Sequence, residues 1–265
     1  MNEIFSMTNN SKLIELDGRK YILRLPGKGT DKLISREQEK EVYDAIRDYK
    51  ISDEVLMFDA TTGVKIARFI ENTHNCNSDN DEDVKRSMKA VKHLHDLKLS
   101  VSHKFDLVER ILFYEKLMKK SRYENYEEVK RSILALLSTI HDVDSCLCHI
   151  DPNQDNCLVH DNENEVTLVD WEYAAMQDPI LDVAMFAIYA GYEKSRVDWL
   201  LSIYKPTHTY DENVRYYIYI AAAGLLWSNW CEFKNNLGQT FGGAYELSQF
   251  NYAMQYSEYA KELMK

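Results

Sequence analysis

The 265 residues are 45% hydrophobic and 28% charged, with nine glycines and four prolines, a globular composition long enough for one large domain or two lobes. A net charge of −11 argues against duplex DNA or an anionic membrane surface as the main partner. The five cysteines are odd in number and follow no framework spacing, and Cys146 and Cys148 are too close for a zinc knuckle with no second pair to answer them, so reduced thiols are expected.

In chain order, "MNEIFSMTNN" lacks the basic region and apolar core of a signal peptide. "KLIEL" and "KYILRL" flank Asp17-Gly18, which reads as a hairpin. "SREQ" at 35–38 is a capping box, and Val42, Ala45, Ile46 and Tyr49 continue an apolar helical face. "VLMFD" and "VKIARFI", separated by "ATTG", read as a second hairpin, so the order is β-β-α-β-β. "ENTHNCNSDNDED" is polar and unpatterned and reads as a linker near residues 72–80.

Beyond it the periodicity becomes helical, with Val84, Met88, Val91 and Leu94, then Ile133, Leu134, Leu137 and Ile140. Two short strands, "CLV" and "VTLVD", interrupt the helices, and from Ile180 onward the pattern is helical again and rich in tyrosine. The longest apolar run, "YIAAAGLLW", is too short to span a bilayer, so the expectation is a cytoplasmic protein with no integral membrane segment and no nucleic-acid partner. The predicted fold class is α+β, with a small β-rich lobe at 1–71 and a larger, mainly helical lobe at 72–265. Oligomeric state is not legible.

One stretch carries chemistry. In "HIDPNQDN", His149, Asp151 and Asn156 fit H-x-D-x-x-x-x-N, and Asp170 follows 14 residues after Asn156 at the end of a strand. Phosphoryl transfer needs positioning and charge neutralisation more than covalent help. An aspartate orients the attacking hydroxyl, while an amide oxygen and a second carboxylate hold a magnesium ion that bridges the phosphates of ATP. Asp151, Asn156 and Asp170 supply those groups in that order, with Asn156 and Asp170 as the metal ligands. A solvated loop would also contain aspartate and asparagine, but it would not place them between two strands with this spacing.

With those residues in place, the chain resembles the protein-kinase-like small-molecule phosphotransferases, a two-lobed fold, and within them the bacterial members of the choline/ethanolamine kinase family. "YILRLPGKGTDKLISREQE" is similar to that family's strand ending in Arg, then P-G, then a helix with R-x-x-E, and "DWEYA" followed by "LDVA" is similar to its metal loop. The resemblance implies that Arg24 contacts phosphate, that Glu39 pairs with it, and that Phe69-Ile70-Glu71 meets adenine. It places the phosphate-covering loop at "FSMTNNS", with Thr8 and Asn9 contacting nucleotide, although Ser6 and Met7 stand where the family usually has glycine. His149 and Asp182 would brace the catalytic loop.

The implied acceptor is choline, or a related amino alcohol such as ethanolamine. A quaternary ammonium donates no N–H bond and is recognised by aromatic faces and nearby carboxylates. Trp227 and Trp230 share a helix face; alone they would read as core, and the resemblance makes them candidates for the substrate box. Tyr189 or Tyr192 could complete it, with Glu172 and Tyr173 beside the metal loop. Aminoglycoside phosphorylation and a nucleotide-binding pseudokinase are the alternatives. Between Asp170 and Asp182 there is no room for a long activation segment, which favours a small acceptor over a protein.

Overall fold

The computed structural model describes residues 2–4, 9–27 and 29–265. The chain forms two compact units, residues 1–103 with 146–176, and residues 104–145 with 177–265. The first unit is built on an antiparallel sheet of five strands in the order β1-β2-β3-β5-β4: β1 (Asn2–Ile4), β2 (Asn9–Leu16), β3 (Arg19–Pro26), β4 (Val55–Phe58) and β5 (Lys65–Arg68). Both expected hairpins form. Asp17 and Gly18 take φ of 51° and 70°, the paired left-handed values of a two-residue turn that matches strand twist.

Helix α1 (Arg36–Ile46) starts at Ser35, whose hydroxyl accepts the Gln38 N–H at 3.4 Å. Val42 and Ile46 are buried as the periodicity requires. Tyr43 replaces Tyr49 on that face, because the helix ends at Ile46 and Tyr49 lies exposed beyond it.

The polar segment read as a linker contains a strand. β6 (Thr73–Asn75) pairs antiparallel with β8 (Cys157–His160), which in turn pairs with β9 (Val166–Leu168). As a three-residue edge strand with exposed His74 and Asn75, it gives no apolar alternation to read. Helix α2 (Asp81–Asp96) is capped by the Asn80 side chain and buries Val84, Met88, Val91 and Leu94, as predicted. It packs on β8, β9 and β7 (Cys146–Cys148), and β7 pairs with β10 (Ala175–Gln177).

The second unit is helical: α3 (Leu107–Met118), α4 (Tyr126–Leu137), α5 (Ile180–Tyr189), α6 (Lys194–Tyr204), α7 (Tyr210–Asn236) and α8 (Gly243–Leu263). Helix α3 hides from pattern reading because it carries apolar residues on both faces: Ile111 and Tyr114 are buried while Val108 and Leu112 are exposed. In α4 the buried face is Tyr126, Val129, Ile133 and Leu136 rather than the stripe through Leu134, Leu137 and Ile140. Tyr126 sets that rotation by accepting a hydrogen bond from Asn229 Nδ2 at 3.0 Å, and Ile140 lies past the helix end.

Helix α7 is buried on all sides from Tyr216 to Lys234 and packs against α3, α4, α5 and α8, which makes it the axis of this unit. Its apolar stretch nevertheless carries enough polar residues that, among the described residues, no helix is long and apolar enough to cross a membrane. Gly224 lets α8 approach: a Cβ there would lie 2.6 Å from the Gln249 carbonyl oxygen and 2.8 Å from the Ala253 nitrogen. Gly224→Ala should therefore destabilise the protein by about 1–3 kcal/mol despite the better helix propensity of alanine, read as a lower urea midpoint with an unchanged slope.

Candidate active site

The central strand β3 and its neighbour β5 place two cations side by side, since Arg24 and Lys65 are register partners and point from the same sheet face. Helix α1 crosses that face and presents Glu39 and Tyr43 one turn apart. Arg24 meets Glu39 as a two-pronged pair, Nη2 donating to Oε2 at 3.0 Å and Nη1 to Oε1. Lys65 donates to the Tyr43 hydroxyl and lies 3.1 Å from Asp53. Arg24 also donates to the Gly63 carbonyl at 3.2 Å and reaches Asp170 Oδ1 at 3.4 Å.

The carboxylates respond to burial and to these cations. Burial works against both members of the Arg24–Glu39 pair, but the surrounding opposite charges, the pair partner foremost, together outweigh it, holding the guanidinium above and the Glu39 carboxyl below its ordinary range. Asp170 and Glu172 are pushed the other way. Burial raises Asp170 against the pull of Arg24, and burial with the Asp170 and Glu39 charges lifts Glu172 to about 7.

The second half of the site is the β8–β9 hairpin with the loop that precedes it. Val169, just after β9, is held from two directions: its N–H donates to the Asn156 carbonyl at 3.0 Å, and its carbonyl accepts from His149 Nε2 at 3.0 Å. Those two bonds draw Asp151, Asn156 and Asp170 to one hairpin root, although 19 residues separate the first from the last. Asn156 Nδ2 donates to the Asp151 backbone carbonyl at 2.9 Å and to its Oδ2 at 3.1 Å, and Asn153 Nδ2 donates to Asp151 Oδ1 at 3.1 Å. The Asp151 carboxylate is thus gripped at both oxygens.

Two backbone positions in this loop pair are unusual. Ile150 takes φ of 68° and Asp170 φ of 63°. Left-handed geometry is tolerated by aspartate but strains a β-branched residue, and such strain, about 1–3 kcal/mol, persists only where the surroundings impose it. Trp171, fully buried, helps impose it. Its Nε1 donates to the Leu168 carbonyl at 3.1 Å and its ring lies 4.6 Å from the His149 ring.

The donor set suits a hard divalent cation. The Asn156 Nδ2 bonds both go to Asp151, so the Asn156 amide oxygen could serve as a metal ligand, and the Asp170 side chain keeps 26% of its surface exposed. Two oxygen ligands with remaining positions left to water and phosphate are what magnesium commonly accepts.

Other expected residues fall as follows. Phe69 and Glu71 follow β5 directly, placed by Lys20: the Phe69 N–H donates to the Lys20 carbonyl at 3.1 Å and Lys20 Nζ lies 3.1 Å from Glu71. The Asn9 side chain is buried and donates to Glu172 Oε2 at 2.8 Å, while Thr8, Ser6 and Met7 lie outside the described residues. Tyr173 is buried beside Glu172, and Asp182 is buried in the first turn of α5. The sequence reading did not single out Lys65, Trp171 or Arg36; Arg36 was visible in the R-x-x-E spacing.

In the helical unit, Tyr189, Trp227, Trp230 and Phe241 form a continuous row of rings, with centroid separations of 5.6, 5.6 and 4.9 Å. Phe241, in the loop between α7 and α8, carries no periodic signal and was not expected. The buried Lys234 ammonium lies 5.3 Å from the Trp230 centroid, so this row already receives a cation. Tyr192 rests against Phe186 at 6.2 Å and accepts at its carbonyl from the Tyr252 hydroxyl at 2.8 Å.

The thiols are all buried. Cys146 and Cys148 share one face of β7, and α2 brings His95 to within 4.8 Å of both, a partner that no short spacing could reveal. The trio offers three ligand atoms where a closed structural zinc site uses four.

An antiparallel sheet carrying an Arg–Glu pair, joined to a hairpin that gathers Asp, Asn and Asp, defines a small-molecule kinase of the protein-kinase-like α+β class. Within it, the sequence model of the choline/ethanolamine kinase family matches residues 1–223, and the chain belongs to that family. The protein LicA of Haemophilus influenzae is 25% identical over 274 residues, covering 97% of this chain and 79% of that protein. Among solved structures, the choline kinase LicA from Streptococcus pneumoniae superposes with a TM-score of 0.84 at 26% identity, covering 97% of this chain and 92% of that one. A structure of LicA in complex with AMP gives 0.82 at 25% identity, covering 96% and 89%.

The Val169 clamp yields a direct expectation. His149→Ala removes a buried donor and a ring contact together, and should cost about 2–4 kcal/mol in a urea titration.

Proposed function

We propose that this chain is an ATP-dependent choline kinase, transferring the γ-phosphate of ATP to the choline hydroxyl to give phosphocholine. The observation that carries the substrate is the likeness over 97% of the chain to the S. pneumoniae choline kinase, and the AMP complex of LicA supports an adenine nucleotide as donor. In this reading residues 1–71 bind nucleotide and residues 72–265 provide catalysis and acceptor recognition.

Asp151 is the group that meets the acceptor hydroxyl. Its carboxylate, fixed by Asn153 and Asn156, orients the attacking oxygen and takes its proton as the bond to phosphorus forms. Asn156 and Asp170 would hold magnesium, which when bound neutralises charge on the phosphates. Arg24 is kept protonated and aimed by Glu39, and its Nε–H has no partner among the described residues, leaving a donor for a phosphate oxygen. In this reading Phe69 and Glu71 meet the adenine, and Thr8 and Asn9 are the further nucleotide contacts. Trp227, Trp230 and Tyr189 supply the aromatic faces for a quaternary ammonium, with Tyr192, Tyr173 and Glu172 as the remaining acceptor-side groups.

A coupled assay for ADP release with ATP and magnesium tests the substrate. Choline should stimulate turnover more than ethanolamine, homoserine or an aminoglycoside, and a higher kcat/KM for another acceptor would reassign it. Chelation of divalent ions should stop turnover and added magnesium should restore it. Asp151→Asn should lower kcat by about 10²–10⁴-fold while ATP still binds. Trp227→Ala should raise the KM for choline about tenfold with little change in the KM for ATP.

A further inference from the structure

Arg36 opens α1 and is itself buried, 8% exposed. Its guanidinium joins three separate parts of the first unit. Nη1 donates to Glu39 Oε2 at 2.6 Å and to Glu172 Oε2 at 2.9 Å, and Nη2 donates to Asn9 Oδ1 at 3.1 Å. Asn9 closes the circuit by donating from Nδ2 to the same Glu172 oxygen at 2.8 Å. The amide orientation follows from charge, since its oxygen faces a cation and its nitrogen a carboxylate.

The same Glu172 oxygen lies 4.0 Å from Arg24 Nη1, which also reaches Asp170 and Glu39. Glu172 therefore competes for Arg24 unless another cation holds it. Its second oxygen has no hydrogen-bond partner among the described residues, so the Arg36–Asn9 grip on Oε2 is its main anchor.

We propose that Arg36 is a positioning residue for phosphoryl transfer: by binding Glu172, Asn9 and Glu39 together, it keeps Glu172 off Arg24 and leaves Arg24 for the nucleotide phosphates. This rests on the kinase reading above and adds to it a residue that touches neither substrate. Lysine keeps the charge but presents no planar fork to carboxylate and amide at once.

The test uses the full chain and ATP as the probe, with affinity measured by calorimetry in magnesium buffer, melting temperature measured beside it, and kcat and KM for ATP measured with choline. Arg36→Met should weaken ATP binding about tenfold or more and raise the KM for ATP, because the freed Glu172 turns to Arg24. Arg36→Lys should fall between it and wild type. In the double variant Arg36→Met with Glu172→Gln the competing charge is gone, and ATP affinity should return to within about threefold of wild type. This variant also keeps the test open if Arg36→Met does not fold. ATP affinity and KM unchanged in Arg36→Met, with only the melting temperature lowered, would overturn the proposal. So would a double variant no better than the single one. Wild-type protein that binds no ATP would instead overturn the kinase reading on which the proposal stands.

Discussion

The Glu39 carboxylate, fully buried and shared between two guanidiniums, is the constraint around which the first unit is arranged. A charge so placed is tolerable only if its partners arrive in fixed geometry. Arg24 comes from the centre of the sheet, Arg36 from the start of the crossing helix, and each carries on to a carboxylate beyond β9. The helix cannot slide along the sheet without breaking several of these contacts together. Its register is therefore set by electrostatics as well as by Val42 and Ile46.

The hairpin root works by a different principle. There the backbone of Val169 does the gathering, and the side chains of His149 and Trp171 hold the loop in a conformation its own residues would not choose. In the proposed reaction such support helps catalysis by positioning, because a carboxylate fixed at both oxygens would lose little freedom when the acceptor arrives. The charge network and the hairpin meet at Asp170, which belongs to both.

Much of this was legible beforehand where a local rule was enough. Asp17-Gly18 has one favourable turn type, Ser35 caps its helix, and Asp151, Asn156 and Asp170 follow a spacing that few structures besides a kinase loop would need. What escaped reading depends on distant contacts. β6 is too short and too polar to alternate, so only its partner β8 reveals it. The buried stripe of α4 is rotated by Tyr126, whose partner Asn229 lies 103 residues away. Lys65 looks like an ordinary surface cation in the sequence, and Arg36 is marked only by its R-x-x-E spacing, since nothing local shows that each is buried against a residue from another element. His95 likewise has no sequence mark that ties it to Cys146 and Cys148. Trp227 and Trp230 were legible as a pair, while Phe241 extends their row from a loop without pattern.

The first unit is also discontinuous in sequence, with residues 146–176 returning to complete what residues 1–103 began. Asn9 and Glu172, hydrogen-bonded partners, are 163 residues apart. On a ribosome, the sheet and α1 emerge long before the carboxylate that Arg36 needs, and must wait with that cation still in water. Closing so long a loop is entropically costly and is repaid only when the late hairpin docks. The order of synthesis therefore makes the ionic circuit one of the last native contacts this unit can form, and a chain halted before residue 172 carries Arg36 and Asn9 without the carboxylate that joins them.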